Sequence, residues 1–177
     1  MHDAIWILAL VLAVWAGWLD WRSRRIPNWL TIPALLVGLV TNTVAWGWDG
    51  VMAALGGAGL ALALLLPGVL LRGIGAGDWK LMGALGAFLG PREILLILLA
   101  SILIAGIMAV LQTIKAKRLG TTLANTWELI RGAAIFGLRP HPVITLDNPG
   151  LLSLPFGMAV ALATMISYGA GWILGNS

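Results

Sequence analysis

The stretch VMAALGGAGLALALLLPGVLL, residues 51–71, decides what kind of protein this is. It carries no charged side chain over the roughly 20 residues an α-helix needs to cross a ~30 Å hydrocarbon core. A surface helix of a soluble protein would show a polar face, and this one shows none. Outward from it lie five more apolar segments, at 4–19, 29–46, 79–89, 94–112 and 154–174. All but one approach a spanning length. The segment at 79–89 is short, set between Gly77-Asp78 and Gly90-Pro91, and reads as a short, tilted or half-buried helix. The whole chain is 60% hydrophobic and 10% charged over 177 residues, more apolar surface than one soluble core of that size can bury. The expectation is an all-α integral membrane protein of about six transmembrane helices, one polytopic domain over residues 1–177.

Charge gives the orientation. A net charge of +4 could point to nucleic acid, but the basic residues sit between apolar runs rather than along a soluble face. With the amino terminus outside, six crossings put Arg22, Arg24, Arg25, Arg72, Lys80, Lys115, Lys117, Arg118, Arg131 and Arg139 on the cytoplasmic side and only Arg92 outside. That positive-inside bias predicts both termini non-cytoplasmic. The first segment lacks the basic start and small-residue cleavage site of a secretory signal, so it is expected to stay as a helix. Within 113–153, Leu123, Trp127, Ile130 and Ala134 fall at helical spacing, predicting an amphipathic helix on the cytoplasmic surface at 122–136. The ten tryptophans, mostly near segment ends, read as interfacial belts rather than a ligand box. Pairs such as Gly56 with Gly59, or Gly83 with Gly86 and Gly90, read as close helix contacts. There is no cysteine, which excludes a disulfide, a thiolate metal site and a thiol nucleophile, and His2 and His141 stand too far apart from other ligands to suggest a metal. No metal or cofactor is expected.

Two of the seven acidic residues need a reason. Asp20 closes the first predicted helix and Asp78 opens the fourth, both at the same cytoplasmic edge beside tryptophan and long aliphatics. An ionisable group at that depth is costly. Either one alone reads as a snorkelling or capping carboxylate. Two meeting at one site share a proton, so that one can activate water while the other protonates a carbonyl or a leaving amine, which is aspartyl-protease chemistry. Helix polarity suits an anion at Asp78 and not at Asp20, so the shared proton is expected on Asp20. Gly75 and Gly77 leave room for a close substrate backbone. The Ile26-Pro27-Asn28 run constrains the loop after Asp20, with Asn28 a candidate cap of the second helix.

Those residues resemble a known family. Asp20 followed by Ile26-Pro27-Asn28, and Gly75-Ala76-Gly77-Asp78-Trp79-Lys80-Leu81-Met82, are similar to the prepilin peptidases (type IV leader peptidases) of the GxGD aspartyl protease class. Leu154-Pro155-Phe156-Gly157 also resembles the family's entry into its last helix. The resemblance implies cleavage of the short, basic leader of prepilin-like precursors at the cytoplasmic face of a bacterial inner membrane. It implies Asp20 and Asp78 as the catalytic pair, with Gly75, Gly77, Lys80, Pro27 and Asn28 shaping the site. The larger bifunctional members carry paired Cys-x-x-Cys motifs and also N-methylate the product. Their absence here argues against methyltransferase activity and for the short branch associated with tight-adherence (Flp-type) pili. The implied partners are the precursor and the bilayer, with oligomeric state open. Rival readings are a proton-coupled transporter, disfavoured because the carboxylates lie at one face rather than mid-membrane, and a structural subunit of a secretion assembly. Neither rival predicts loss of leader cleavage on replacing an aspartate.

Overall fold

A computed structural model describes residues 2–115, 127 and 155–175 of the chain. The predicted surface helix at 122–136 lies outside the described residues, save Trp127. The described chain is helical throughout: α1 (His2–Ser23), α2 (Asn28–Leu70), α3 (Ala76–Lys115) and α4 (Phe156–Gly175). Three of these are long and apolar enough to cross a membrane, and α4 is a shorter apolar helix.

At 43 and 40 residues, α2 and α3 would each run to about 60 Å if straight, twice the hydrocarbon thickness. Each is instead broken once, at a glycine. Gly47 takes φ 58°, ψ −130° and Gly90 takes φ 80°, ψ 177°. No side chain tolerates those backbone regions well. Residues 47 and 90 replace the loops that the sequence predicts between its second and third and its fourth and fifth segments. Two broken helices and two continuous ones therefore carry all six apolar segments.

The break at Gly47 folds the chain back on itself. Asn42 and Gly50 would lie about 12 Å apart along a straight helix, yet the backbone of Gly50 is in contact with the Asn42 carbonyl. The two halves of α2 then grip the first half of α3. Before the break, Gly38 packs on the Ala87 and Phe88 backbone, 3.0 Å from where its Cβ would lie, and Asn28 meets Lys80. After it, Gly57 abuts Gly86 and Gly90, Leu62 overlies Gly83, and the Trp79 indole N–H donates to Leu62 O at 2.8 Å. The close contacts thus use Gly57, Gly83 and Gly86. Contrary to expectation, Gly59 faces open space and Gly56 reaches only Pro91, at 4.0 Å.

This arrangement explains the short fourth segment. Every residue from Leu81 to Phe88 is buried: Gly86 lets the Gly57 backbone close on one face and Gly83 takes the Leu62 side chain, while Leu81, Met82 and Leu85 fill the core on the others. Asn42, itself buried, donates its side-chain amide to Ala87 O and Phe88 O at 2.8 Å each and to Gly38 O at 3.1 Å. Pro91 has no N–H to offer the Ala87 carbonyl, so Asn42 supplies a donor at the end of that helix.

α1 and α4 close the other side. Gly17 fits so tightly that a Cβ would stand 2.8 Å from Ala161 Cβ, and Trp6 is buried with its ring 5.9 Å from Tyr168. Trp6 is therefore core, not belt. Trp15, Trp18, Trp21, Trp29, Trp46 and Trp48 are exposed, as an interfacial belt requires.

Candidate active site

The site is assembled at the end of the bundle opposite the two glycine breaks. α1 runs one turn past Asp20, to Ser23, rather than ending at it. The Ser23 hydroxyl donates back to Leu19 O at 2.7 Å, and Arg24 N donates to Asp20 O at 2.8 Å with Arg24 in the left-handed region at φ 54°. Asp20 thus sits in the last turn, its side chain 6% exposed. Asp78 lies in the first turn of α3, as expected, where Trp79 N donates to Gly75 O at 3.1 Å.

Asp20 and Asp78 come from helices joined by more than 50 residues of chain, yet both lie around Ile26: Asp20 against Gly157, which packs on the Ile26 side chain, and Asp78 next to Gly77, which packs on the Ile26 backbone. Ile26 is the joint between them. Its backbone lies against Gly77: a Cβ there would sit 3.0 Å from Ile26 O and 3.3 Å from Ile26 N. Its side chain lies against Gly157 in the first turn of α4, where a Cβ would meet Ile26 Cδ1 at 3.0 Å. The loop between α1 and α2 is therefore pinned between the starts of α3 and α4, one turn beyond Asp20.

Hydrogen bonding differs at the two carboxylates. Gly157 N–H donates to Asp20 Oδ2 at 2.8 Å. Asp78 Oδ1 is buried with no hydrogen-bond partner, and Gly75 is packed so close that a Cβ would lie 3.0 Å from Asp78 Oδ2. The backbone donor faces Asp20, and α1 runs three residues beyond it, which weakens the Asp20 half of the helix-polarity argument for the shared proton, while Asp78 keeps its place in the first turn of α3. An unpartnered buried carboxylate oxygen is expensive in a fold; ionised it accepts from a water, and protonated it donates to a carbonyl oxygen.

The remaining sequence candidates fall in place around this joint. Pro27, at φ −77°, ψ 148°, precedes α2, and its carbonyl accepts from Leu30 N at 3.1 Å. Asn28 does not cap α2 with its side chain. It is the first residue of that helix, and its Oδ1 accepts from Lys80 Nζ at 2.9 Å, tying the start of α2 to the helix that bears Asp78. Sequence reasoning did not single out Ile26 or Gly157 as site residues. Gly157 is 137 positions from Asp20, and only the quoted Pro155-Phe156-Gly157 motif carried a signal for it.

Geometrically, the described residues offer two carboxylates around one joint, Asp20 buried and fixed by a backbone donor, Asp78 half-buried with one oxygen unpartnered. Such a pair can act as base and acid on one substrate. Comparison with known proteins points the same way. The model of the type IV leader peptidase family matches residues 6–110. Over 118 residues the chain is 35% identical to the prepilin leader peptidase/N-methyltransferase of Escherichia coli (strain K12), covering 62% of this chain and 52% of that protein. It is 34% identical over 114 residues to the protein of the same name from Aeromonas hydrophila, covering 58% of this chain and 39% of the relative. The chain thus spans about half or less of the length of these curated relatives. No solved structure matches it. The matched region holds Asp20, Ile26, Gly77 and Asp78 together, and on that footing the chain belongs to the type IV leader peptidase family.

Proposed function

We propose that this protein is a membrane-embedded aspartyl endopeptidase that cleaves the leader of type IV prepilin-like precursors, with Asp20 and Asp78 as its catalytic pair. The observation that carries this is the convergence of Asp20 from α1, buried, and Asp78 from α3, half-buried, on the Ile26 joint. One carboxylate takes a proton from a water, which attacks the scissile carbonyl carbon, while the other gives its proton to the carbonyl oxygen. The tetrahedral intermediate then collapses as the amine leaves with the proton the first carboxylate had taken. The unpartnered Asp78 Oδ1 is suited to accept from the water or, protonated, to donate to the carbonyl. Gly75, Gly77, Lys80, Pro27 and Asn28 shape the site without touching the reacting atoms.

The whole chain acts as one polytopic domain in a bacterial inner membrane. Its six helical segments each cross the bilayer, with both termini outside and the site at the cytoplasmic face. The basic residues Arg22, Arg24, Arg25, Arg72 and Lys80 at the site end support that orientation. The precursors belong to the tight-adherence (Flp-type) class, and the reaction is peptide hydrolysis alone.

Co-expression with a Flp-type precursor tests this reading. Wild-type chain should remove the leader, and Asp20→Asn and Asp78→Asn should each abolish removal at equal membrane abundance, by immunoblot. Undiminished cleavage in either variant would falsify the dyad. Cleavage of a classical type IV precursor but not a Flp-type one would place the chain in another branch.

A further inference from the structure

We infer that Gly157 is a positioning residue for Asp20, the amino end of α4 acting as a backbone clamp that holds the carboxylate toward Asp78. The inference rests on the peptidase reading for its catalytic consequence, but the clamp itself is a matter of geometry. α4 begins after Pro155, which is fully buried and whose carbonyl accepts from Met158 N at 3.2 Å. In the first turn of a helix the backbone N–H groups have no carbonyl of their own helix to bond. That of Gly157 is spent on Asp20 Oδ2 at 2.8 Å, so a carboxylate from another helix fills the place that a local capping side chain takes elsewhere.

A side chain at 157 would force this approach apart by a few tenths of an ångström. A Cβ at 157 would lie 3.0 Å from Asp20 Cβ, 3.1 Å from Asp20 Oδ2 and 3.0 Å from Ile26 Cδ1. All three contacts are tighter than ordinary van der Waals packing allows. The same atom would push on the carboxylate and on the residue that braces Gly77. Gly157 therefore fixes Asp20 twice: by a donor aimed at one oxygen, and by an absent side chain that lets α4 close down on α1 and the Ile26 joint. Charge-assisted bonds of this kind are among the stronger ones in a protein interior.

A matched control exists at the other end of the bundle. Gly38 packs on α3 as tightly, its Cβ position 3.0 Å from the Ala87 and Phe88 backbone and 3.1 Å from Phe88 Cδ2. Neither Asp20 nor Gly157 is among its nearest neighbours. Gly38→Ala disturbs α2–α3 packing without reaching the carboxylate, whereas Gly157→Ala reaches it directly.

The test uses full-length protein in detergent with ¹³C-carboxyl aspartate, the Asp20 signal being the one lost in Asp20→Asn. Gly157→Ala should displace the titration midpoint of that signal by about one pH unit, the size set by losing one hydrogen bond to a charged group. It should lower kcat for precursor cleavage about tenfold or more while KM changes little. Gly38→Ala should leave the Asp20 midpoint in place and lower only thermal stability. An unmoved midpoint in Gly157→Ala, or equal displacement in both variants, overturns the clamp. Should Gly157→Ala not fold, ¹⁵N-glycine labelling reads the same bond without a change at 157: the Gly157 amide should follow the Asp20 titration in wild type and stop doing so in Asp20→Asn. A Gly157 amide indifferent to pH overturns the inference. If the wild type cleaves no precursor, the peptidase reading fails while these spectra still decide the clamp.

Discussion

At the scale of single residues, the site depends on missing side chains as much as on present ones. Gly77 lies on the Ile26 backbone, and the γ carbons of a valine would drive into atoms already 3.0 to 3.3 Å from the Cβ position. Gly77→Val should therefore separate the α1–α2 loop from α3 and cost cleavage about 100-fold, the effect of roughly an ångström of misplacement at a catalytic pair. Gly73→Val is the comparison, since a Cβ there meets only Gly68 O at 3.7 Å, and it should keep near wild-type cleavage in the same membrane assay. Lys80 acts more gently. Its bond to Asn28 is solvent-exposed, so Lys80→Met should lower the cleavage rate by less than about tenfold, in line with a net hydrogen-bond contribution near 1 kcal/mol. Adding Asn28→Ala should cost nothing more, because the two side chains share one interaction. Additive losses in that double variant would show that Lys80 works elsewhere. Asp20 and Asp78 were legible in the sequence because a carboxylate at a membrane edge demands a reason. Gly157 was not, because its meaning lies in which backbone approaches it, and that is set by packing 137 positions away.

At the scale of elements, the breaks in α2 and α3 decide how the first half of α3 comes to be enclosed. The sequence showed apolar segments on either side of 47 and 90, but not that one glycine would replace a loop, since a lone glycine inside an apolar run also fits an unbroken helix. The end of the first half of α3 depends on Asn42. Pro91 leaves the Ala87 carbonyl without its helical donor, and the Asn42 amide takes both that oxygen and Phe88 O. Asn42→Leu preserves size while leaving the buried Ala87 carbonyl without a donor from Asn42 or from Pro91, at a cost of about 1–3 kcal/mol. Thermal unfolding in detergent should shift down by several degrees, while Asp20 and Asp78, at the other end of the bundle, keep their relation. A variant as stable as wild type would mean that water or lipid headgroups reach that carbonyl. Helix ends were read less well than helix existence. α1 was expected to stop at Asp20 and runs to Ser23, because a serine hydroxyl bonding back to Leu19 O and a left-handed Arg24 end the helix one turn later than the apolar run does.

At the scale of the whole molecule, the two ends of the bundle differ in chemistry, and that difference carries the proposed orientation. The site end gathers Arg22, Arg24, Arg25, Arg72 and Lys80 with Asp20 and Asp78, while the glycine-break end carries Asp49, Arg92 and Glu93. Between them run broad exposed apolar surfaces, among them Val40, Val44, Leu55, Leu103 and Ile107, which suit acyl chains and no aqueous phase. The asymmetry of Lys and Arg was legible from the sequence alone. What the fold adds is that the Gly47 and Gly90 breaks share one end, since Asn42 and Gly57 both meet residues 86–90. The chain has no cysteine, so single thiols report location without background. Asp49→Cys, exposed beside the first break, should react with a membrane-impermeant maleimide on intact spheroplasts. Gly73→Cys, exposed between α2 and α3 at the site end, should react only after permeabilisation. The opposite pattern would put the carboxylate pair at the outer face, out of reach of a leader that has not yet crossed, and would sink the cytoplasmic peptidase reading while leaving the fold intact. Labelling of both from outside would mean that the breaks do not lie across the bilayer from the site, and that the halves of α2 do not each cross it.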